Sequence, residues 1–175
     1  MITITLPDGN QRVFDVPPTG QQAAASISEG FSRNCVAMRV NGELTDLSRT
    51  IEADAAVLFI TPQNPEALEI LRHSAAHLMA QAILRVYKNA KLTIGPVVEE
   101  GFYYDIDMEP LSEDDFKKIE EEMKKIVDAK LPIHRKVVSK ADALAFYQNE
   151  PYKLEMIADL PDGSISFYEQ GEFTD

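Results

Sequence analysis

The chain of 175 residues lacks tryptophan and contains a single cysteine, Cys35. One cysteine excludes an intrachain disulfide and favours a cytoplasmic location, because disulfides accumulate in oxidising compartments. The apolar run Cys35–Met38 predicts that this thiol is a buried core residue rather than a reactive group. No apolar run approaches the roughly 20 residues of a membrane-spanning helix. The N-terminus also lacks the basic start and apolar stretch of a signal peptide.

Basic residues are scarce, since 17 lysines and arginines stand against 29 aspartates and glutamates, giving a net charge of −12. A protein that binds nucleic acid unaided usually presents a basic surface, because it must neutralise phosphates. The composition therefore argues against strong RNA binding by this chain alone, although a local basic patch remains possible. Apolar residues make up 45% of the chain and charged residues 26%, which is typical of an ordered globular protein.

The first sixty residues have the pattern of a small sheet with one helix. Alternating apolar residues and turn signals predict five strands, at 2–6, 12–16, 36–40, 43–47 and 56–61. Thr19 and Gln22 predict a capping box for a helix that we expect Gly30 to end. This order of elements is typical of a β-grasp fold, in which one helix lies across a mixed sheet. The prolines within 62–65 predict a boundary between this domain, 1–62, and a second domain, 63–175.

The second domain opens with a long predicted helix from Asn64 to about Tyr87. Its main apolar face comprises Leu68, Leu71, Ala75, Leu78, Met79, Ala82 and Val86. Other apolar residues lie opposite, so we expect a central helix that is buried on two sides. Shorter helices are predicted at 112–129, 139–148 and 152–159, with strands between 92 and 107 and at 131–138, 164–168 and 172–174. We therefore predict an α+β fold, with the long helix packed against a mainly antiparallel sheet.

His73 and His77 stand four residues apart on this helix and therefore project from one face. Such a pair suits two metal ligands, or a base and its helper beside a reacting group. No glutamate follows His73, so the zinc-protease pattern His-Glu-x-x-His is absent. From the spacing alone, two purely structural histidines remain an open alternative. The third histidine, His134, lies beside Arg135 and Lys136 on a basic strand, and we predict that it is solvated.

Three segments together resemble the editing domain of threonyl-tRNA synthetases, namely Arg72–Leu78, Ile94–Val97 and Gly101–Asp105. The preceding domain is similar to the ubiquitin-like TGS domain that begins the bacterial members of that family. The family's editing motif has a second half, Cys-x-x-x-His, that is missing here. We therefore expect the chain to be a shortened piece of a longer synthetase, ending before that segment.

The resemblance implies hydrolysis of mischarged Ser-tRNA(Thr) at its 3′-terminal adenosine, within a parent enzyme that ligates threonine to tRNA(Thr). The parent would use ATP, Mg and a zinc ion in a catalytic domain absent here, whereas no cofactor or metal is expected in this chain. A monomer with weak or no editing activity is expected here, and a homodimer for the parent. The implied catalytic residues are His73, His77 and Lys153, and the implied substrate-binding residues are Gly95, Tyr104 and Asp175.

Several alternatives remain open at this point. The chain could be a non-catalytic module whose TGS domain binds RNA or protein, or a metal-dependent hydrolase built on the two histidines. Tyr104 alternates with Phe102 and Ile106 and could be a core residue. Lys153 could equally be a solvated surface lysine.

Overall fold

A computed structural model describes residues 1–163 and 165–175, so the predicted start of a late strand at Ser164 lies outside the described residues. The chain divides into two compact units, Met1–Leu71 and Arg72–Asp175. No helix in the described ranges combines the length and apolar character needed to cross a membrane.

The first unit contains five strands and two short helices. These are β1 (Ile2–Thr5), β2 (Gln11–Phe14), α1 (Gly20–Ala25), α2 (Glu29–Asn34), β3 (Ala37–Val40), β4 (Glu43–Thr45) and β5 (Ala55–Ile60). The strands form one sheet in the order β2-β1-β5-β3-β4. Only the β1–β5 pair is parallel. This mixed sheet with its helices confirms the predicted β-grasp arrangement.

The helical part of this unit differs from the prediction in one respect. The capping box is present, since Thr19 accepts a hydrogen bond from the Gln22 backbone and Gln22 accepts one from the Thr19 backbone. Gly30 does not end that helix but lies inside α2. Ser28 caps α2 by accepting from the Phe31 backbone at 3.0 Å, and this local start signal outweighs the low helix propensity of glycine.

In its described residues, 72–163 and 165–175, the second unit contains most of one long helix, three further helices and seven short strands. The elements are α3 (Ala67–Val86), β6 (Lys91–Leu92), β7 (Val97–Val98), β8 (Gly101–Phe102), β9 (Ile106–Asp107), α4 (Glu113–Asp128), β10 (Ile133–Val138), α5 (Lys140–Phe146), α6 (Pro151–Ala158), β11 (Ile165–Gln170) and β12 (Phe173–Thr174). All strand pairs here are antiparallel, in a three-stranded sheet β10-β11-β12 and two small pairs, β6–β9 and β7–β8. The predicted α+β class is therefore confirmed.

The buried face of α3 differs from the predicted one. Leu68 and Leu71 are 53% and 43% exposed. The fully buried positions of α3 are mostly small residues, and they include Ala76, Ala80 and Ala82. Alanine contributes little to an apolar pattern, so the predicted face was set by the larger leucines and not by the alanines that are buried. The close packing that alanine allows brings neighbouring elements near the α3 backbone.

Candidate active site

Four polar residues recur at every fourth position of α3, and they are His73, His77, Gln81 and Arg85. Residues with this spacing lie one above another on a helix. We call this row the α3 ladder. The C-terminal half of the ladder, Gln81 and Arg85, binds the β11–β12 hairpin. Gln81 Nε2 donates to the Gln170 carbonyl at 3.2 Å. Arg85 pairs with Glu172 in the turn of the same hairpin at 2.5 Å and with Glu122 of α4 at 3.1 Å.

The N-terminal half of the ladder, His73 and His77, places its two imidazoles against the same hairpin. The ring centroids of His73 and His77 are 4.6 Å apart. The Tyr168 ring of β11 lies 6.3 Å from His73 and 6.0 Å from His77, and Phe173 lies 6.0 Å from His77. His73 is exposed, whereas His77 is half-buried. The pair therefore opens to solvent at one ring and packs against the hairpin at the other.

The environment of His77 favours its neutral form. Burial lowers the pKa of His77, the Asp175 carboxylate opposes this, and His73 and Lys153 lower the pKa further. Because the usual pKa of histidine is close to 6.5, His77 is a neutral imidazole at pH 7. A neutral ring carries a free lone pair and can accept a proton.

The Asp175 carboxylate is the point where three elements meet. Tyr104 donates its hydroxyl hydrogen to Oδ2 of Asp175 at 2.5 Å, and Lys153 of α6 forms an ion pair with Oδ1. Nε2 of His77 lies 3.8 Å from Oδ2. The Asp175 and Lys153 side chains are only 10% and 11% exposed. This carboxylate is therefore a buried, paired anion beside the imidazoles.

The backbone also holds Asp175 in place. Its carbonyl accepts a hydrogen bond from the Tyr168 amide at 2.7 Å, and its amide donates to the Tyr168 carbonyl at 3.1 Å. These two bonds extend the β11–β12 pairing by one residue. The position of the carboxylate is thus set by the sheet as well as by its ion pair.

Tyr104 fits the site only because residue 95 is glycine. A Cβ at position 95 would lie 2.3 Å from Cδ2 of Tyr104, far inside van der Waals contact. Burial, followed by the charge and hydrogen bond of Asp175, raises the pKa of Tyr104. The phenol therefore stays protonated and serves as a donor. Its oxygen also lies 3.4 Å from Lys153 Nζ.

A further contact anchors the β7–β8 hairpin to the start of this part of α3. Arg72 donates through Nη1 to the carbonyls of Val98, at 3.3 Å, and Glu99, at 2.8 Å. Val98 ends β7, and Glu99 begins the turn that leads to β8. The contact therefore fixes the turn that lies between Gly95 and Tyr104 in the chain.

The six residues predicted for the site are joined by one continuous series of contacts. It runs from His73 through His77 to Asp175, then to Lys153 and Tyr104, and from Tyr104 to Gly95. Four further residues of this region were not predicted from the sequence, namely Gln81, Arg85, Tyr168 and Phe173. Gln81 and Arg85 continue the four-residue spacing of the histidines, which was a usable signal. The aromatic pair had none, because a register between distant strands is not visible in the sequence.

Two other predictions concern histidine and metal. His134 lies on β10, opposite Glu169 of β11, and is exposed, as predicted. Over residues 1–163 and 165–175, no three side chains among histidine, cysteine, aspartate and glutamate converge in a way that could hold a metal ion. The absence of a bound metal stays a prediction.

Comparison with known proteins gives two kinds of match. Residues 2–61 match the TGS domain family. The whole chain is 61% identical to a threonine–tRNA ligase of Desulfatibacillum aliphaticivorans and 58% identical to that of Desulfosudis oleivorans, covering 28% of each relative. It is 51% identical to the threonine–tRNA ligase of Staphylococcus saprophyticus over 99% of the chain and 27% of that relative. The chain thus spans little more than a quarter of the length of the curated relatives it matches.

Proposed function

We propose that this chain, which has a TGS domain and is similar throughout to threonine–tRNA ligases, provides the proofreading site of such an enzyme. The proposed reaction is hydrolysis of the ester that joins serine to the 3′ end of tRNA(Thr). The parent enzyme would ligate threonine to the same tRNA. The observation that carries the proposal is the Asp175 carboxylate, paired with Lys153 and Tyr104 beside the two imidazoles of α3.

The chemistry of the two amino acids explains why such a site is needed. Serine and threonine differ by one methyl group, and a pocket gains only about 1–3 kcal/mol from a difference of that size. The resulting 10- to 200-fold discrimination is too small for protein synthesis. A second site that accepts the smaller serine and hydrolyses its ester removes the error after it has been made.

The geometry suggests a role for each group. His77, held neutral by burial, can accept a proton from water or from a ribose hydroxyl. His73 is exposed and adjoins it, so it can orient the same water. The Lys153 ammonium is positioned to stabilise negative charge that develops on the ester oxygen.

Asp175 and Tyr104 provide recognition rather than proton transfer. The seryl ester carries an ammonium group, and Asp175 is a buried carboxylate that can accept hydrogen bonds from it. Tyr104 stays protonated and fixes the orientation of that carboxylate. In the free protein Lys153 occupies one of the carboxylate oxygens, so substrate binding would share Asp175 between two cations.

The proposal is tested by deacylation of Ser-tRNA(Thr), measured for this chain and for a protein of the relatives' length. We expect the longer protein to hydrolyse Ser-tRNA(Thr) and to spare Thr-tRNA(Thr). His73→Ala should slow hydrolysis by about 10²- to 10⁴-fold, the usual contribution of a positioned acid–base group. Lys153→Ala should slow it by about 10²- to 10³-fold, the usual effect of removing one group that stabilises developing charge. His134→Ala, the same change at an exposed histidine on β10, should be neutral. Normal rates for both site variants would refute the assignment.

The first unit supports a second candidate function. One face of its sheet is partly open, and Val13, Leu44 and Leu58 are exposed there at 60%, 47% and 39%. Leu58 and Leu44 share the face because both lie opposite Arg39. Val13 lies opposite Thr3, and the pairing of Thr5 with Ala56 puts Thr3 on the face of Leu58. A non-catalytic docking role for the TGS domain is therefore the alternative. Chemical-shift changes confined to residues 1–61 on addition of a tRNA 3′-end analogue would favour it over proofreading.

A further inference from the structure

One row of residues crosses the three-stranded sheet of the second unit at the proposed site. Arg135 of β10 lies opposite Tyr168 of β11, and Tyr168 exchanges two backbone hydrogen bonds with Asp175. Residues directly opposite each other in a sheet share a face. Arg135, Tyr168 and Asp175 therefore lie side by side on one face, with Tyr168 in the middle.

The same face carries the ester-binding groups at one end of the row. Tyr168 contacts both imidazoles, and Asp175 contacts Lys153 and Tyr104. Neighbouring strands are about 5 Å apart, so the backbone of Arg135 is about 10 Å from that of Asp175. An extended arginine side chain can cover much of this separation.

Among the three arginines of this unit, Arg135 is the one that the described contacts leave without a partner. Arg85 is neutralised by Glu122 and Glu172, and Arg72 is occupied by two backbone carbonyls. Arg135 is exposed, and within the described residues its side chain takes part in none of the ion pairs or hydrogen bonds.

The residues that flank Arg135 on its face carry no carboxylate, and Asp175, two strands away in the same row, is paired with Lys153 and Tyr104. Its neighbours on the same face are Ile133 and Val137 of β10, with Ser166 and Gln170 of β11 opposite them. None of these four side chains carries a carboxylate. Lys136 and His134 alternate to the other face, where His134 lies opposite Glu169.

We infer that Arg135 binds the phosphate on the 5′ side of the terminal nucleoside of the substrate, an inference that rests on the proposed function. When the 3′ ester lies beside His77 and Asp175, the RNA chain must leave the site through the 5′ phosphodiester of the same nucleoside. Arg135 is exposed and lies on the same sheet face as Asp175, two strands away. A guanidinium matches phosphate oxygens in a two-pronged geometry.

This contact would provide the local positive charge that an acidic chain needs in order to bind an RNA phosphate. The net charge of −12 opposes the approach of RNA. One unpaired arginine beside the site provides local attraction where the backbone must pass, and it supplies no base specificity. Arg135 is a substrate-binding residue in this assignment and takes no part in the hydrolysis.

The test uses two stable analogues and the chain as it is. The first is 3′-deoxy-3′-(L-serylamino)adenosine, which has an amide in place of the ester and no phosphate. The second is the same compound carrying a 5′-methyl phosphodiester. Dissociation constants are measured by calorimetry for the wild type, Arg135→Gln, Arg135→Lys and Lys136→Gln. Lys136→Gln is the matched control, because it removes the same charge from the opposite face of the same strand.

We expect the phosphodiester to tighten binding to the wild type by about tenfold, the effect of one charge-assisted contact at an exposed site. Arg135→Gln should abolish this gain, Arg135→Lys should retain part of it, and Lys136→Gln should keep it. The nucleoside analogue should bind all four proteins alike. For the phosphodiester, Arg135→Gln should also reduce the slope of log affinity against log salt by about 0.7.

Several results would overturn the inference while leaving the proposed function intact. One is nucleoside binding near His73 and His77 with no gain from the phosphodiester. Another is an equal loss in Arg135→Gln and Lys136→Gln, which would indicate a general field effect. A third is inorganic phosphate alone binding as tightly as the phosphodiester, which would indicate an unspecific anion site. If neither analogue binds the wild type, both the inference and the proposed function fail.

Discussion

Gly95→Ala should break the hydrogen bond between Tyr104 and Asp175 without touching either residue chemically. The new Cβ would lie 2.3 Å from Cδ2 of Tyr104, and ordinary contact begins at 3.4 Å. The ring must therefore retreat by about 1.1 Å, the difference between the two distances. A shift of that size away from Asp175 would stretch the present 2.5 Å bond to about 3.6 Å, which no longer counts as a hydrogen bond.

The expected cost follows from the bond that is lost. A buried hydrogen bond to a carboxylate contributes about 1.5–3 kcal/mol, and Asp175 is only 10% exposed. We expect Gly95→Ala to lower the free energy of unfolding of the second unit by about 2 kcal/mol. Gly101→Ala is the matched control, because a Cβ there meets no atom within 4 Å. It should be neutral or stabilising by up to about 1 kcal/mol.

The measurement is urea unfolding followed by the NMR signals of His73 and His77, which report on the second unit alone. Tyr104→Ala removes the ring that the new methyl would strike. Gly95→Ala should therefore add almost nothing in a Tyr104→Ala background. Equal urea midpoints for Gly95→Ala and Gly101→Ala would refute the reasoning, as would an undiminished effect of Gly95→Ala in the Tyr104→Ala background.

Three further outcomes are expected. Burial lowers the pKa of His77 in the folded protein. The stabilising contribution of the neutral ring is therefore present above the pKa of the unfolded chain, near 6.5, and is lost as pH falls through the folded pKa. The free energy of unfolding of His77→Gln should accordingly vary less with pH below 6.5 than that of the wild type. The hydrogen bond from Arg85, followed by one from the Glu172 backbone, lowers the pKa of Glu172 from 4.5 to about 2. Stability should therefore fall as pH drops through this window. Arg85→Gln should reduce that fall by at most about 1 kcal/mol, because the Glu172 side chain is largely exposed. Elemental analysis of the purified chain should find no stoichiometric zinc, and one zinc per chain would favour the metal-dependent alternative.

Local signals predicted the first unit well because its elements are specified by neighbouring residues. The Asn41-Gly42 turn joins β3 and β4 as expected, with Asn41 at φ 51° and Gly42 at φ 88°. The capping box at Thr19 depends on a residue only three positions away. Gly30 misled the prediction because a glycine near the end of one helix can also stand inside the next.

The candidate site was only partly predictable because its contacts join segments far apart in the chain. The four-residue spacing of the histidines showed that they share a helix face, but not which strand they meet. Tyr168 and Asp175 become neighbours through the register of β11 with the residues after β12. Similarly, Arg135 gained significance only when pairing placed it opposite Tyr168. Such registers are fixed by packing across the whole unit, which local patterns do not encode.

The α3 ladder makes the exact length of its helix as important as its composition. Four residues turn an α-helix by about 400°, so successive rungs drift by about 40° and the line of contact winds slowly around the axis. Deleting one residue between His77 and Arg85 would swing one set of rungs by about 100° relative to the other. The imidazoles and the hairpin anchor could then no longer face the same strand pair, so insertions and deletions here should be tolerated far less well than substitutions.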